Sequence, residues 1–390
     1  MKEPVSFDAE GGDYTDGLVS VEKYEYVLPS KKSFRPWHRP RKQFIRNDQW
    51  CHFTKLLIEE IQITDGSLTY FGLPGVDLLD LRCFSTHVCE PKSLKLRFLG
   101  FDRSANPESE DNTDFSVSLD EISKSATVDP MSDIIGDDLR LLVDEDSVAW
   151  QKTFAVGPYD VINLDLCDGF GKQEPGKISP TYYDAVSRLL TVQARRKMPW
   201  LLFLTTRVGA NHIHADTLQR LTELFAENLK TCQTFADAAS DRFEIRTPDA
   251  LNKAINTAVG IQKVFLISLS KWLLKFSISQ SPPSKLEVKS VMGYRVNKDS
   301  EVEDMISIAI RFEPINSSPT DAVGLSNIRS VQLDECELAT KVVNAMNRLV
   351  DVDDILASDL DLREEMIEST CALLEPARYD PEAYRKWAAE

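Results

Sequence analysis

Histidine is the scarcest chemistry-bearing residue in this sequence, with five in 390: His38, His52, His87, His212 and His214. The pattern His212-Ile-His214-Ala-Asp216 has the shape of a hydrolytic metal cradle, yet such a site needs more histidines downstream and none follows. A helix start or the rim of a site is the better reading. The seven cysteines are odd in number, scattered, and never paired as C-x-x-C, which excludes a zinc finger and suggests reduced, mostly buried thiols and a cytoplasmic home. No serine sits in a G-x-S-x-G elbow. Cys167 lies between Asp165 and Asp168, whose charges would suppress its thiolate, so it reads as a packed strand-end thiol.

Long apolar runs are also missing. The most apolar stretch, 264–276, is interrupted by Lys271 and Lys275 and falls short of the roughly 20 residues that span a bilayer. The first twenty residues are acidic and have neither the basic start nor the apolar stretch of a secretory signal. No membrane partner is expected. With only 16 glycines there is no G-x-G-x-x-G turn, which counts against a dinucleotide oxidoreductase.

What the chain has in excess is acid: 62 Asp and Glu against 45 Lys and Arg, a net charge of −17 that would repel phosphate backbones and anionic lipid alike. The excess is uneven. Residues 101–150 carry fourteen acids against three bases, and residues 351–390 twelve against four. Residues 31–46 hold seven bases and no acid: Lys31, Lys32, Arg35, Arg39, Arg41, Lys42 and Arg46, with Phe34, Trp37 and Phe44 interleaved. Two prolines predict an extended arm. Such an arm could contact nucleic acid or a partner, or it could dock on the chain's own acidic blocks.

Periodicity predicts a helix over 50–61, a strand over 68–71, a turn over 72–75 and a helix through Leu78, Leu79 and Leu81. Strands follow at 94–101, before Gly136, at 159–166 and at 200–205, with helices over 117–125, 180–197, 215–237 and 249–276. Two alternating segments, 286–296 and 305–312, predict an antiparallel hairpin. From about 318 the pattern is helical and acidic. These elements predict a Rossmann-like, doubly wound, mostly parallel α/β sheet closed by an antiparallel hairpin. Three parts are expected: an extended segment 1–48 with the basic arm, a sheet domain 49–316, and an acidic helical extension 317–390 that could receive protein partners.

Ligands on such sheets bind beyond the carboxyl ends of the strands. After the first strand stand Gly72 and Gly75, next to Tyr70. After the second stands Asp102, placed to accept both hydroxyls of a ribose or to cap a helix. After the third come Asp137 and Asp138, placed to accept from an adenine amine. After the fourth come Asp165 and Asp168. No Lys-Ser/Thr follows the glycines, so an adenosine without phosphates fits this order better than a nucleotide.

On YFGLPG (70–75), LRFLGFD (96–102), IIGDD (134–138), YDVINLDL (159–166) and the closing hairpin, the sequence resembles the class I S-adenosylmethionine-dependent methyltransferase superfamily over roughly residues 50–315. The FGLPG turn is similar to that of the three-Cys-motif partner proteins. The stretch from DVINLDL to LLFLTT is similar in layout to tRNA guanine dimethyltransferases. The resemblance implies S-adenosylmethionine as cofactor, held by Tyr70, Gly72, Gly75, Asp102, Asp137 and Asp138, with Asp165 or Asp168 orienting or deprotonating an acceptor in nucleic acid or protein. Two departures stand out. The acid usual at the end of the first strand is absent from Ser67-Leu-Thr-Tyr70, and the D/N-P-P-Y/F tetrapeptide is replaced by Asp165-Leu-Cys-Asp168. They keep open an alternative, a non-catalytic methyltransferase-like interaction subunit of a prokaryotic defence or nucleic-acid-processing assembly.

Overall fold

The strands form where apolar and β-branched residues alternate or run together. In chain order they are β1 (Ser67–Gly72), β2 (Lys95–Phe101), β3 (Asp133–Ile135), β4 (Val161–Asp165), β5 (Trp200–Arg207), β6 (Ser284–Tyr294), β7 (Met305–Pro314) and β8 (Val350–Asp351). The structure, a computed structural model, describes residues 30–166, 168–172, 180–297, 299–315 and 333–389. One sheet contains all eight strands in the order β3-β2-β1-β4-β5-β7-β6-β8. The first five run parallel, β7 inserts antiparallel beside β5, β6 pairs antiparallel with β7, and β8 adds parallel to β6. The chain therefore winds outward to β3 and returns to β4, leaving a switch point between β1 and β4.

Alternation along the strands sends Phe71, Leu99, Ile162, Leu164, Leu202 and Ile310 to one face and Tyr70, Phe98, Val161, Leu201, Phe203 and Ala309 to the other. The helices, again in chain order, are α1 (Pro40–Ile45), α2 (His52–Ile61), α3 (Leu79–Phe84), α4 (Asn112–Ser123), α5 (Val148–Val156), α6 (Tyr182–Gln193), α7 (Ala215–Thr231), α8 (Gln233–Phe243), α9 (Pro248–Ala254), α10 (Ala258–Ser279), α11 (Glu335–Met346), α12 (Val352–Ser358), α13 (Leu360–Leu374) and α14 (Pro381–Ala389). Residues of α5 to α11 cover the first face, and those of α1 to α4 and α12 to α14 the second.

The sheet and the hairpin agree with the sequence expectation, and several other features differ from it. Residues 31–46 are not an extended arm. From Pro40 the chain is helical, and α1 runs through a π-helical turn at Arg46–Cys51 directly into α2. Phe44, Ile45 and Trp50 are buried there, and their apolar area drives the segment onto the sheet. No break separates residues 48 and 49. The boundary expected between 316 and 317 lies outside the described residues, but the acidic segment beyond it is built into the fold through β8 and through α1 packing on α13.

The helix expected over 215–237 stops at Cys232, whose extended backbone separates α7 from α8 and whose sulfur joins Cys336 in a disulfide, against the expectation of reduced thiols. Cys51, Cys83, Cys89 and Cys371 are free and buried. The helix expected over 249–276 divides into α9 and α10, bent by 116°. Thr257 accepts from the Gly260 amide to cap α10. Among the described residues no single helix is long and apolar enough to cross a membrane, although the bent α9 and α10 pair together meet that length and composition. Most of α10 lies in the core. Helix α5 and strand β8, neither foreseen, complete the fold.

Candidate functional site

The carboxyl ends of β1 to β4 bring the candidate residues to one edge, and each already has a role within the chain. A Cβ at Gly72 would lie 2.6 Å from Tyr70 Cε1, so this glycine makes room for the Tyr70 ring. Gly75 has φ +69 and nothing near its missing side chain, which makes it a true turn glycine. Further along, a Cβ at Gly100 would lie 3.2 Å from Pro74, and one at Gly136 would lie 2.7 Å from the Asn106 amide nitrogen. The loops after β1, β2 and β3 thus pack on one another.

Asp102 accepts from the Ser104 amide at 2.7 Å and caps a short turn, the alternative role foreseen for it. Asp138 is clamped. It accepts from the Arg140 amide at 2.8 Å, from the Arg140 side chain at 2.9 and 2.8 Å, and from Arg103. Burial pushes its carboxyl up, but these guanidinium and amide donors outweigh burial and hold it well below the usual carboxylate range. Asp137 beside it is half-buried.

At the end of β4, Asp165 accepts from Lys42 Nζ at 2.6 Å. Lys42 comes from α1, is 2% exposed, and stands 4.5 Å from the Trp50 ring centroid. Burial pulls its pKa down, yet Asp165, Tyr294 and Asp80 more than compensate, so the ammonium is held charged. Asp168 pairs with Lys172, accepts from the Gly169 amide at 2.8 Å, and stands 3.2 Å from His212 Nδ1. Burial raises its pKa, and Lys172, the amide and His212 lower it further than burial raises it. A depressed carboxyl with a cation attached is a poor proton acceptor. His214 accepts from the Asp216 amide and starts α7, and among the described residues no cluster of His, Cys, Asp and Glu could hold a metal ion.

The structure also assembles residues that sequence reasoning did not join. Beneath the switch point, Arg46 donates to Asp80 at 2.8 Å with both side chains buried. Lys31 pairs with Asp77 at 2.7 Å, and Tyr379 donates to the same carboxylate at 2.8 Å. The Asn163 amide and the Tyr70 hydroxyl are buried there and face each other. Of the basic residues in 31–46, Arg41 pairs with Asp353 at 3.1 Å, Arg39 donates to the Trp387 carbonyl at 2.9 Å, and Lys32 and Arg35 remain exposed, as does Trp37. The only signal for these pairings was charge complementarity between residues 31–46 and the acidic blocks. It could not say which acid each base meets.

A family model described as PP_RS20740-like matches residues 31–389. The chain belongs to the PP_RS20740-like family. That description names no activity. No curated protein matches the chain in sequence. Two solved structures are similar to it: a candidate class I S-adenosylmethionine-dependent methyltransferase from Listeria monocytogenes, and a candidate rRNA methylase from Clostridium thermocellum. The first has 10% identity and a TM-score of 0.34, with 70% of this chain and 62% of the other covered. The second has 11% identity and a TM-score of 0.32, with 69% of this chain and 97% of the other covered. The chain thus spans 62% of the length of the first.

The sheet itself, five parallel strands closed by an antiparallel hairpin, is the Rossmann-like layout that the resemblance implies. The resemblance implies S-adenosylmethionine in this layout. An adenosine needs open space before its glycines and a free acceptor for its amine. Here Gly72, Gly100 and Gly136 face the chain's own atoms, and Asp138 carries two guanidiniums. Gly72 and Asp138 are thus taken up by the chain's own atoms, whereas Gly75 keeps open space before it and Asp137 stands half-buried beside Asp138.

Proposed function

We propose that this member of the PP_RS20740-like family is a non-catalytic, methyltransferase-like interaction subunit, serving a prokaryotic defence or nucleic-acid-processing assembly. The observation that carries this reading is the Lys42–Asp165 ion pair. It puts a buried ammonium from α1 on the strand end where an acceptor would be activated. The absent first-strand acid and the clamped Asp138 support the same reading. The test is calorimetry of the full chain with S-adenosylmethionine at high micromolar concentration. No heat of binding is expected, and micromolar binding that Asp138→Ala removes would overturn it.

A second reading, S-adenosylmethionine-dependent methyl transfer to nucleic acid or protein, is favoured by one observation. The Asn163 amide and Tyr70 hydroxyl form a buried polar pair beside the switch point, with hydrogen-bonding capacity that an incoming ligand could take up. On this reading the 31–46 segment would have to withdraw from Asp165 first. Labelled methyl transfer from the cofactor to bulk nucleic acid or protein, present in the wild type and absent in Asp165→Asn, would decide for it.

A further inference from the structure

Helices α6, α7 and α10 frame a cleft of about 450 Å³. Tyr183 and Asp184 of α6, Asp216, Arg220 and Leu221 of α7, and Trp272 of α10 are among its walls. None of the strand-end candidates lines it. The Tyr183 and Trp272 rings meet edge to face, with centroids 5.1 Å apart and planes at 78°. Phe170, from the loop after β4, is 1% exposed and fixes both: its centroid lies 4.5 Å from that of Tyr183 and 6.4 Å from that of Trp272. The Tyr183 hydroxyl is buried and has no hydrogen-bond partner among the described residues. Burial pushes its pKa up, so the hydroxyl keeps its proton and is a donor in want of an acceptor. Asp184, Asp216 and Arg220 are exposed, and Asp216 closes the His212-Ile-His214-Ala-Asp216 pattern, which holds no metal.

A buried hydroxyl left unpaired costs free energy that a bound acceptor recovers. Aromatic walls favour a planar ring as the group that brings the acceptor, and the carboxylates of Asp184 and Asp216 favour N–H donors along the ring's edge. A nucleobase combines a π face, ring or carbonyl acceptors and N–H donors in one small body. A phosphate on it would meet the two carboxylates and a chain of net charge −17, with Arg220 as the one cation among the lining residues. We propose that this cleft binds a free, uncharged nucleoside or its base. The site stands apart from the strand-end edge and rests on neither reading of that edge.

Calorimetric titration of the full chain with uridine, cytidine, inosine and guanosine tests it. At least one should bind, and Tyr183→Phe, which removes only the hydroxyl, should weaken that binding by about tenfold. Without ligand the same variant should melt no lower than the wild type, because the group it loses has no partner in the fold; a lower melting temperature would mark the hydroxyl as structural and overturn the site. Thr217→Trp, at a half-buried lining position on α7, fills the cleft and should abolish binding. The 5′-monophosphate and a short oligonucleotide of the same base should bind more weakly than the nucleoside. Tighter binding of the oligonucleotide would keep the cleft as a base site and overturn the free nucleoside as its occupant. Excess S-adenosylmethionine should not displace the nucleoside; displacement would move it to the strand-end edge and overturn this site. No binding of any of the four at millimolar concentration, or binding that both variants leave intact, would overturn it as well.

Discussion

Replacing Lys42 with methionine removes the ammonium but keeps most of the side chain's length, and so isolates the charge. In the folded protein Asp165 would then stand at the end of β4 with its partner gone, its side chain 19% exposed. Breaking a buried pair from one side costs about 3–5 kcal/mol. The partial exposure of Asp165 places the expected cost nearer the lower end, at about 3 kcal/mol. Loss of the ammonium beside the Trp50 ring is included in that figure. For a chain of this length the unfolding entropy is roughly 0.8 kcal/mol per kelvin, so the melting temperature should fall by about 4 °C. The assay is urea unfolding followed by tryptophan fluorescence, on the single variants Lys42→Met and Asp165→Asn and on the double. If the pair fastens the segment to the sheet, the double should cost less than the sum of the singles, by about 2 kcal/mol or more. A single-variant cost below about 1 kcal/mol, or additive effects, would refute the claim that this pair seals the strand end.

Three other outcomes are expected. Burial holds His38 neutral below its ordinary pKa against Asp77, with Lys31 and Arg46 also facing it, and the same cluster depresses Asp77 despite that residue's own burial. Stability at this junction should therefore fall as pH drops through about 6.5 and again below about 4, and His38→Gln should remove the first of these steps in a pH series of melting temperatures. A Cβ at residue 169 would lie 2.2 Å from the His212 carbonyl, so Gly169→Ala should destabilise the protein by more than about 2 kcal/mol in the same urea assay. Reduction of Cys232–Cys336 frees a loop spanning 104 positions, for which loop-closure entropy gives an upper figure of about 4–5 kcal/mol; thermal melts with and without reductant measure the actual loss.

The strands were legible because their signal is local. YDVINLDL and WLLFLT are largely apolar runs of the kind a doubly covered sheet buries, with Asp160, Asn163 and Thr205 as buried polar exceptions, and the 286–312 hairpin alternates with period two. What stayed hidden depended on distant partners. Nothing near Lys42 in sequence announces that Asp165 will meet it 123 positions later, and the prolines of 31–46 suggested an extended chain where tertiary burial of Phe44, Ile45 and Trp50 imposed a helix. Asp102 was legible as a strand-end acid, but its choice between capping and ligand binding turned on the Ser104 amide, a matter of loop geometry. The single-helix readings of 215–237 and 249–276 failed at Cys232 and near Thr257, where a disulfide and a cap interrupt sequences whose periodicity runs on.

Residues 31 and 379 lie opposite each other in a parallel bridge. The Lys31 amide donates to the Arg378 carbonyl at 2.7 Å, and the Asp380 amide donates to the Lys31 carbonyl at 3.0 Å. This two-bond bridge between the first and last parts of the fold is a clasp under shear. A force applied between the two ends would load it before any strand of the sheet, while α1 stays fastened by its own Lys42–Asp165 and Arg41–Asp353 pairs. Because its halves are far apart in sequence, it can close only after the sheet between them has formed, which makes it the natural last step of folding and the first of mechanical opening.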